Sequence, residues 1–214
     1  MGTLAAARLY GILDLAYVSA REALRVAEEM MNGGIDLIQL RGKRETPGQL
    51  EQLGKPLHEI TKARGIPLIV NDHPQVARNI GAEGVHVGQD DLGVKEGREE
   101  GGEGVFVGKS THSLEQAIAA ADEGADYIGF GPLFATPTKP DYLPIGLGLI
   151  AEAHHRVKLP IFCIGGIKLE NLPEVIAAGA KRVVIVSGIL LAKDVKGYVR
   201  ACKDLLEAGM TNAQ

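Results

Sequence analysis

Short apolar, β-branched runs recur along this chain, and longer amphipathic stretches separate them. The runs fall at Leu9–Leu13, Leu37–Leu40, Pro67–Val70 and Gly84–Val87 in the first half. Val105–Val107, Tyr127–Phe130, Ile161–Ile164 and Val183–Val186 follow in the second. Each run is of strand length, with the β-branched enrichment of a strand buried on both faces. Ala20–Met31, Gln49–Arg64, Ser113–Glu123 and Asn171–Ala178 carry the helical period instead. Strand alternating with helix implies parallel pairing through right-handed crossovers. Eight such units of roughly 25 residues predict an α/β fold, a (β/α)8 TIM barrel forming a single domain over residues 1–214. A doubly wound open sheet is the competing architecture, but no G-x-G-x-x-G follows the first strand.

Local signals agree. Ser19 with Glu22 reads as a capping box, and Ser113 with Gln116 as another. Gly33-Gly34, Gly65, Gly81, Gly124 and Gly179 each fall where a helix must stop before the next strand. A turn of the form Gly-Ala/Ile-Asp/Glu recurs at 34–36, 81–83 and 124–126, with a variant at 179–181, and reads as architecture. The Gly- and Glu-rich segment 96–104 reads as a mobile surface stretch.

Composition narrows the function. Aromatics make up 4% of the chain and Trp is absent, so the core is expected to be Val, Ile, Leu and Ala. Such a chain offers few rings for stacking on nucleic acid. The formal net charge is -4 and no Lys/Arg block stands out, which argues against nucleic acid and anionic membrane as partners. Cys163 and Cys202 lie far apart, without metal-ligand spacing, as expected in a reducing compartment. No basic region leads into a long apolar stretch at the N-terminus, so a cytoplasmic protein is expected.

The polar residues that follow the apolar runs are the informative ones, because barrels place their active sites at the C-terminal ends of the strands. Asp72 and Asp91 follow adjacent strands. Two carboxylates there can share one hard cation such as Mg²⁺, completed by phosphate oxygens, although either Asp could instead cap the next helix. Arg41, Lys43 and Lys139 are cations at the same end and suit a diphosphate, whereas singly each would read as a surface charge. Gln39 should point into the barrel. It needs a polar partner, either a heterocycle or a core group. Gly165-Gly166 and Ser187-Gly188 follow the last two strands, where barrels often hold phosphate on backbone N–H groups. His86 reads as a packed or supporting histidine, and His112 as a weak candidate acid.

The stretches QLRGK (39–43), ND (71–72), GVHVGQDD (84–91), GKSTH (108–112), DYIGFGPLFATPTK (126–139), IGGI (164–167) and VSGI (186–189) resemble thiamine phosphate synthases, in order and along nearly the whole chain. The resemblance implies a transferase. It would join 4-amino-2-methyl-5-(hydroxymethyl)pyrimidine diphosphate to a carboxylated thiazole phosphate, giving thiamine phosphate, diphosphate and CO₂. Diphosphate leaves first, and the thiazole nitrogen captures the pyrimidine carbocation. Carried over position by position, Gln39, Leu40, Arg41, Gly42, Lys43, Asn71, Ser110 and Lys139 would hold the pyrimidine diphosphate. Arg41, Lys43, Ser110 and Lys139 would assist its departure. Asp72 and Asp91 would bind Mg²⁺. Thr136, Pro137, Thr138, Gly166, Val186 and Ser187 would hold the thiazole phosphate. The chain departs from the family pattern at Leu13, usually Thr; at Gly42, usually Glu; at Lys109, usually small or apolar; and in segment 96–104. The alternatives are a thiazole tautomerase on the same barrel, which needs neither the metal carboxylates nor the Thr-x-Thr-Lys element, and a non-catalytic regulator that binds thiamine phosphates. The partners implied are small-molecule substrates, and a homo-oligomer stays open.

Overall fold

The structure is a computed structural model that describes residues 2–136 and 143–211. Eight strands form one closed parallel barrel in sequence order. They are β1 (Leu9–Asp14), β2 (Leu37–Arg41), β3 (Leu68–Asn71), β4 (Gly84–Val87), β5 (Phe106–Thr111), β6 (Tyr127–Phe130), β7 (Ile161–Cys163) and β8 (Val183–Ile185). β1 closes the ring by pairing Leu9 with Val183 and Gly11 with Ile185. The helices are α1 (Gly2–Ala6), α2 (Ala23–Gly33), α3 (Pro47–Lys62), α4 (Pro74–Ile80) and α5 (Val94–Gly101). Then come α6 (Leu114–Asp122), α7 (Ile150–Arg156), α8 (Leu172–Ala177), α9 (Ser187–Leu190) and α10 (Val195–Thr211). No helix of the described residues is long and apolar enough to cross a membrane.

Two cores result from the period of two along each strand. The larger lies between the outer barrel face and the helices and is aliphatic, with Leu13, Leu40, Val70, Val107 and Ile128 from the strands facing Met30, Leu57 and Val199 from the helices. The buried thiols Cys163 and Cys202 belong to it, and burial pushes both up to about 12. The smaller core fills the barrel interior and departs from the expected aliphatic composition. Tyr10, Tyr127 and Phe162 meet there edge to face, with centroids 5.4 to 6.0 Å apart. Few rings suffice because they occupy one layer, and the strands opposite them give way. A Cβ on Gly108 would come within 2.1 Å of Tyr127 Cζ.

The recurring Gly-x-acid turn is architecture, and its chemistry is specific. Gly34, Gly81 and Gly124 take positive φ at the helix ends. The acid that follows accepts backbone N–H groups at the base of the barrel. Asp36 takes those of Arg8 and Leu9, at 2.8 and 2.9 Å. Glu83 takes that of Leu68 and Asp126 that of Val107, both at 2.8 Å. Each carboxylate thus satisfies an otherwise unpaired donor at a strand start.

Two local expectations are corrected. Ser19 is not the cap of α2, which begins after Glu22; its hydroxyl donates to the Glu22 carboxylate across a preceding turn, at 3.0 Å. The capping box forms instead at Thr46 and Gln49 on α3, while Ser113 caps α6 as expected. Segment 96–104 is not a loose stretch, because most of it is α5. Its inward positions are Val94, Gly97 and Gly101, and a Cβ on Gly97 would lie 3.6 Å from Val87 and Val107. Small residues let the helix backbone rest on the strands, so no bulky apolar stripe marks it. Arg98 then ties α5 to the carbonyls of Val105 and Gly124 and to Asp126.

Asp126→Ala should cost about 1–3 kcal/mol in urea unfolding, because the Val107 N–H loses its acceptor. His154 on α7 gives a pH signature. Burial, with Lys181 and Arg182 adding to it, lowers its pKa from 6.5 to about 4. The unfolded chain takes up that proton first, so stability should fall as pH drops from 6.5 toward 4. His154→Gln should flatten that part of the unfolding midpoint's pH profile.

Candidate active site

The pocket sits at the C-terminal ends of the strands, over the aromatic layer. β2 carries Gln39 and Arg41 into it, and Leu40 between them faces α3, packing near Gly54. Gln39 is buried, and its Nε2 donates to the Tyr10 hydroxyl at 2.6 Å. Arg41 pairs with Asp14, its register partner at the end of β1. Asp14 is 1% exposed and also accepts the Ala16 N–H at 2.9 Å. The guanidinium therefore leans on a buried carboxylate and forms part of the pocket wall.

Asn71 ends β3 and also lines the pocket. Asp72 follows with φ of 60°, the one non-glycine with positive φ among the described residues. Such a backbone persists only where surrounding contacts hold it. One is its N–H, which donates to the His86 carbonyl at 2.9 Å. Its carboxylate meets the Lys43 ammonium and lies within hydrogen-bonding reach of Asp91. Asp91 in turn accepts the Gly88 N–H at 2.8 Å. Burial raises the Asp72 pKa, Lys43 opposes the rise and Asp91 adds to it. The two carboxylates thus repel one another's charge, and the Lys43 ammonium sits against Asp72. Lys43, Asp72 and Asp91 stand beside the pocket rather than in its wall. Among the described residues no three His, Cys, Asp or Glu side chains gather as a metal cluster. A cation here would therefore rely on this pair plus oxygens from a ligand, the usual arrangement for Mg²⁺.

On the other side, Ser110 of β5 meets His86 Nε2 at 3.0 Å, and its carbonyl accepts Gln89 Nε2 at 2.5 Å. His112 lines the pocket with Nδ1 2.6 Å from the Gly131 carbonyl, a contact in which the ring nitrogen donates. Thr136 also reaches the pocket, while Pro137, Thr138 and Lys139 lie outside the described residues. Gly165 and Gly166 have φ of 99° and 67° after β7, and Val186 and Ser187 follow β8. All four line the pocket. A Cβ on Gly166 would come within 2.7 Å of Phe134, so the loops after β6 and β7 touch there. Gly42 stands outside the wall, with Glu45 and Leu50 where a Cβ would go. Lys109 is buried on the opposite face of β5 from Ser110, away from the pocket.

The sequence profile of a family described as thiamine monophosphate synthase matches residues 9–189. The chain belongs to this family. A thiamine-phosphate synthase of Halalkalibacterium halodurans is 41% identical over 201 residues, covering 94% of this chain and 95% of its own. One of Shouchella clausii is 42% identical, covering 94% and 96%. A thiamine phosphate pyrophosphorylase structure from Pyrococcus furiosus superposes with a TM-score of 0.87 at 29% identity, covering 95% and 96%.

The structure brings Gln39, Arg41, Asn71, Ser110, Thr136, Gly166, Val186 and Ser187 together around one pocket, and Lys43, Asp72 and Asp91 beside it. Sequence reasoning gave no role to Asp14, Tyr10 or Tyr127. The signal for Asp14 was available, as an acid ending a strand whose neighbour ends in Arg. The two tyrosines looked like ordinary strand residues. Asp14→Ala should destabilise the fold by about 3–5 kcal/mol, because it leaves the half-buried Arg41 uncompensated. Adding Arg41→Leu should restore part of that loss in the same unfolding assay.

Proposed function

We propose that this chain is a thiamine phosphate synthase, a transferase acting on 4-amino-2-methyl-5-(hydroxymethyl)pyrimidine diphosphate and a carboxylated thiazole phosphate. The observation that carries the reading is the Lys43–Asp72–Asp91 cluster at the edge of a pocket that Gln39, Arg41 and Ser110 line. It is supported by the family membership and by relatives of the same name about 40% identical.

Asp72 and Asp91 would hold Mg²⁺, and two carboxylates within reach of one another fit a divalent cation. When bound, the ion neutralises diphosphate oxygens as charge builds on the leaving group. Arg41 and Lys43 extend the same positive field, and Lys139 belongs to it by the family motif. Gln39 would read the pyrimidine from inside the barrel, with Asn71 and Ser110 beside it. Leu40 and Gly42 stand outside the pocket wall and would contribute through the backbone that positions Arg41 and Lys43. The loops with Thr136, Gly166, Val186 and Ser187 would take the thiazole phosphate, with Pro137 and Thr138 completing them. Holding both substrates in one pocket turns their union into a positioning problem, and no protein nucleophile is required. The reading leaves the protein in the cytoplasm with small molecules as partners, and light scattering would read its oligomeric state.

The test is diphosphate release from the two substrates with Mg²⁺ present. The wild type should release it, and tautomerisation of the thiazole without release would reject the synthase reading. Asp91→Ala should lower kcat at least a hundredfold with an unchanged circular dichroism spectrum. An active Asp91→Ala protein would overturn the metal assignment.

A further inference from the structure

A continuous hydrogen-bonded chain crosses the barrel interior at the pocket's inner wall and joins five strands. Gln39 Nε2 on β2 donates to the Tyr10 hydroxyl on β1 at 2.6 Å. That hydroxyl lies 3.1 Å from the Tyr127 hydroxyl on β6. The Tyr127 hydroxyl lies 3.1 Å from His86 Nδ1 on β4, and His86 Nε2 lies 3.0 Å from Ser110 Oγ on β5. All five residues line the pocket, with Gln39 and Ser110 at the two ends of the chain.

Gln39 donates at one end, and every later link can run in the same sense. Burial raises both phenols above the ordinary tyrosine value, so each keeps a single proton to donate. Tyr10 accepts from Gln39 and gives its proton to Tyr127. Running in the same sense, Tyr127 gives its own to His86 Nδ1, which then accepts. The neutral ring carries its proton on Nε2 and donates it to Ser110 Oγ. Ser110 is left with its hydroxyl proton free to turn to the pocket, and Gln39 with its Oε1.

We propose that Tyr10, Tyr127 and His86 are positioning residues that set the polarity of the pocket: an acceptor at Gln39 on one side and a donor at Ser110 on the other. In this sense each group passes one proton onward, from Gln39 at one wall to Ser110 at the other. The ligand it suits offers an N–H donor to one wall and a lone pair to the other, as an aminopyrimidine does. That assignment rests on the synthase reading, whereas the chain of contacts rests on the geometry alone. Neither tyrosine needs to touch substrate to act this way. Their effect is to hold two distant groups in matched orientation before the ligand arrives, which lowers the cost of ordering them on binding.

Two measurements test it. Long-range ¹⁵N–¹H correlation of histidine-labelled wild-type protein at pH 8, with His86 assigned by its loss in His86→Gln, should find His86 protonated on Nε2. A ring protonated on Nδ1 overturns the proposal, whether or not the protein turns over substrate. In the synthase assay, Tyr127→Phe removes both the donor to His86 Nδ1 and the acceptor of the Tyr10 hydroxyl, and so cuts the chain in the middle. It should raise KM for the pyrimidine diphosphate about tenfold, with kcat changed less than threefold and KM for the thiazole phosphate unchanged. His86→Leu should do the same more severely, and His86→Gln, which restores an N–H near Ser110, should recover most of the loss. Equal rises in both KM values, or no difference between Leu and Gln at 86, would reduce these residues to packing and overturn the proposal. If the wild type gives no turnover, the synthase reading fails, and the histidine spectrum still decides the direction of the chain.

Discussion

The period of two along eight closed parallel strands is the constraint on which everything else in this molecule rests. It sends Gln39 inward and Leu40 outward from adjacent positions, and does the same for Ser110 and Lys109. Closure leaves no strand edge, so each strand finds partners on both sides and its outward residues can be wholly apolar. The inward residues are then released from supplying the main core. They can be polar wherever a partner across the barrel satisfies them.

That freedom comes with a condition. A buried polar group inside the barrel is costly unless it is hydrogen-bonded. The interior meets the condition with a single connected set, Gln39, Tyr10, Tyr127, His86 and Ser110. The rings of that set also form the floor of the pocket, so the same side chains exclude water below and present polar ends above. Asp14 applies the same logic at the rim, where it balances Arg41 within the barrel wall. The Asp72–Asp91 pair is the exception. It sets two carboxylates within reach of each other, and Asp72 holds a left-handed backbone there.

The barrel was legible because its evidence is local. Gly84–Val87 and Tyr127–Phe130 are bounded in the structure as their apolar runs predict, and the other strands differ by only a few residues at their ends. The polar residues after the runs were legible for the same reason, since position along a strand fixes which end they reach. What escaped depends on register and on what is missing from a pattern. The Asp14–Arg41 pair exists because β1 and β2 align those residues, which neither strand reveals alone. The tyrosine chain needs five strands in place. α5 was misread because its packed face is built from Gly97 and Gly101, which carry no hydrophobic signal.

The central claim is that the rim beside this pocket holds a diphosphate through a divalent cation. Calorimetric titration of the wild-type protein with inorganic diphosphate, with Mg²⁺ and then with a chelator, tests it most directly. The account predicts binding that depends on Mg²⁺ and weakens at least tenfold when the ion is removed. Equal affinity in the chelator, or no binding in either condition, would contradict it.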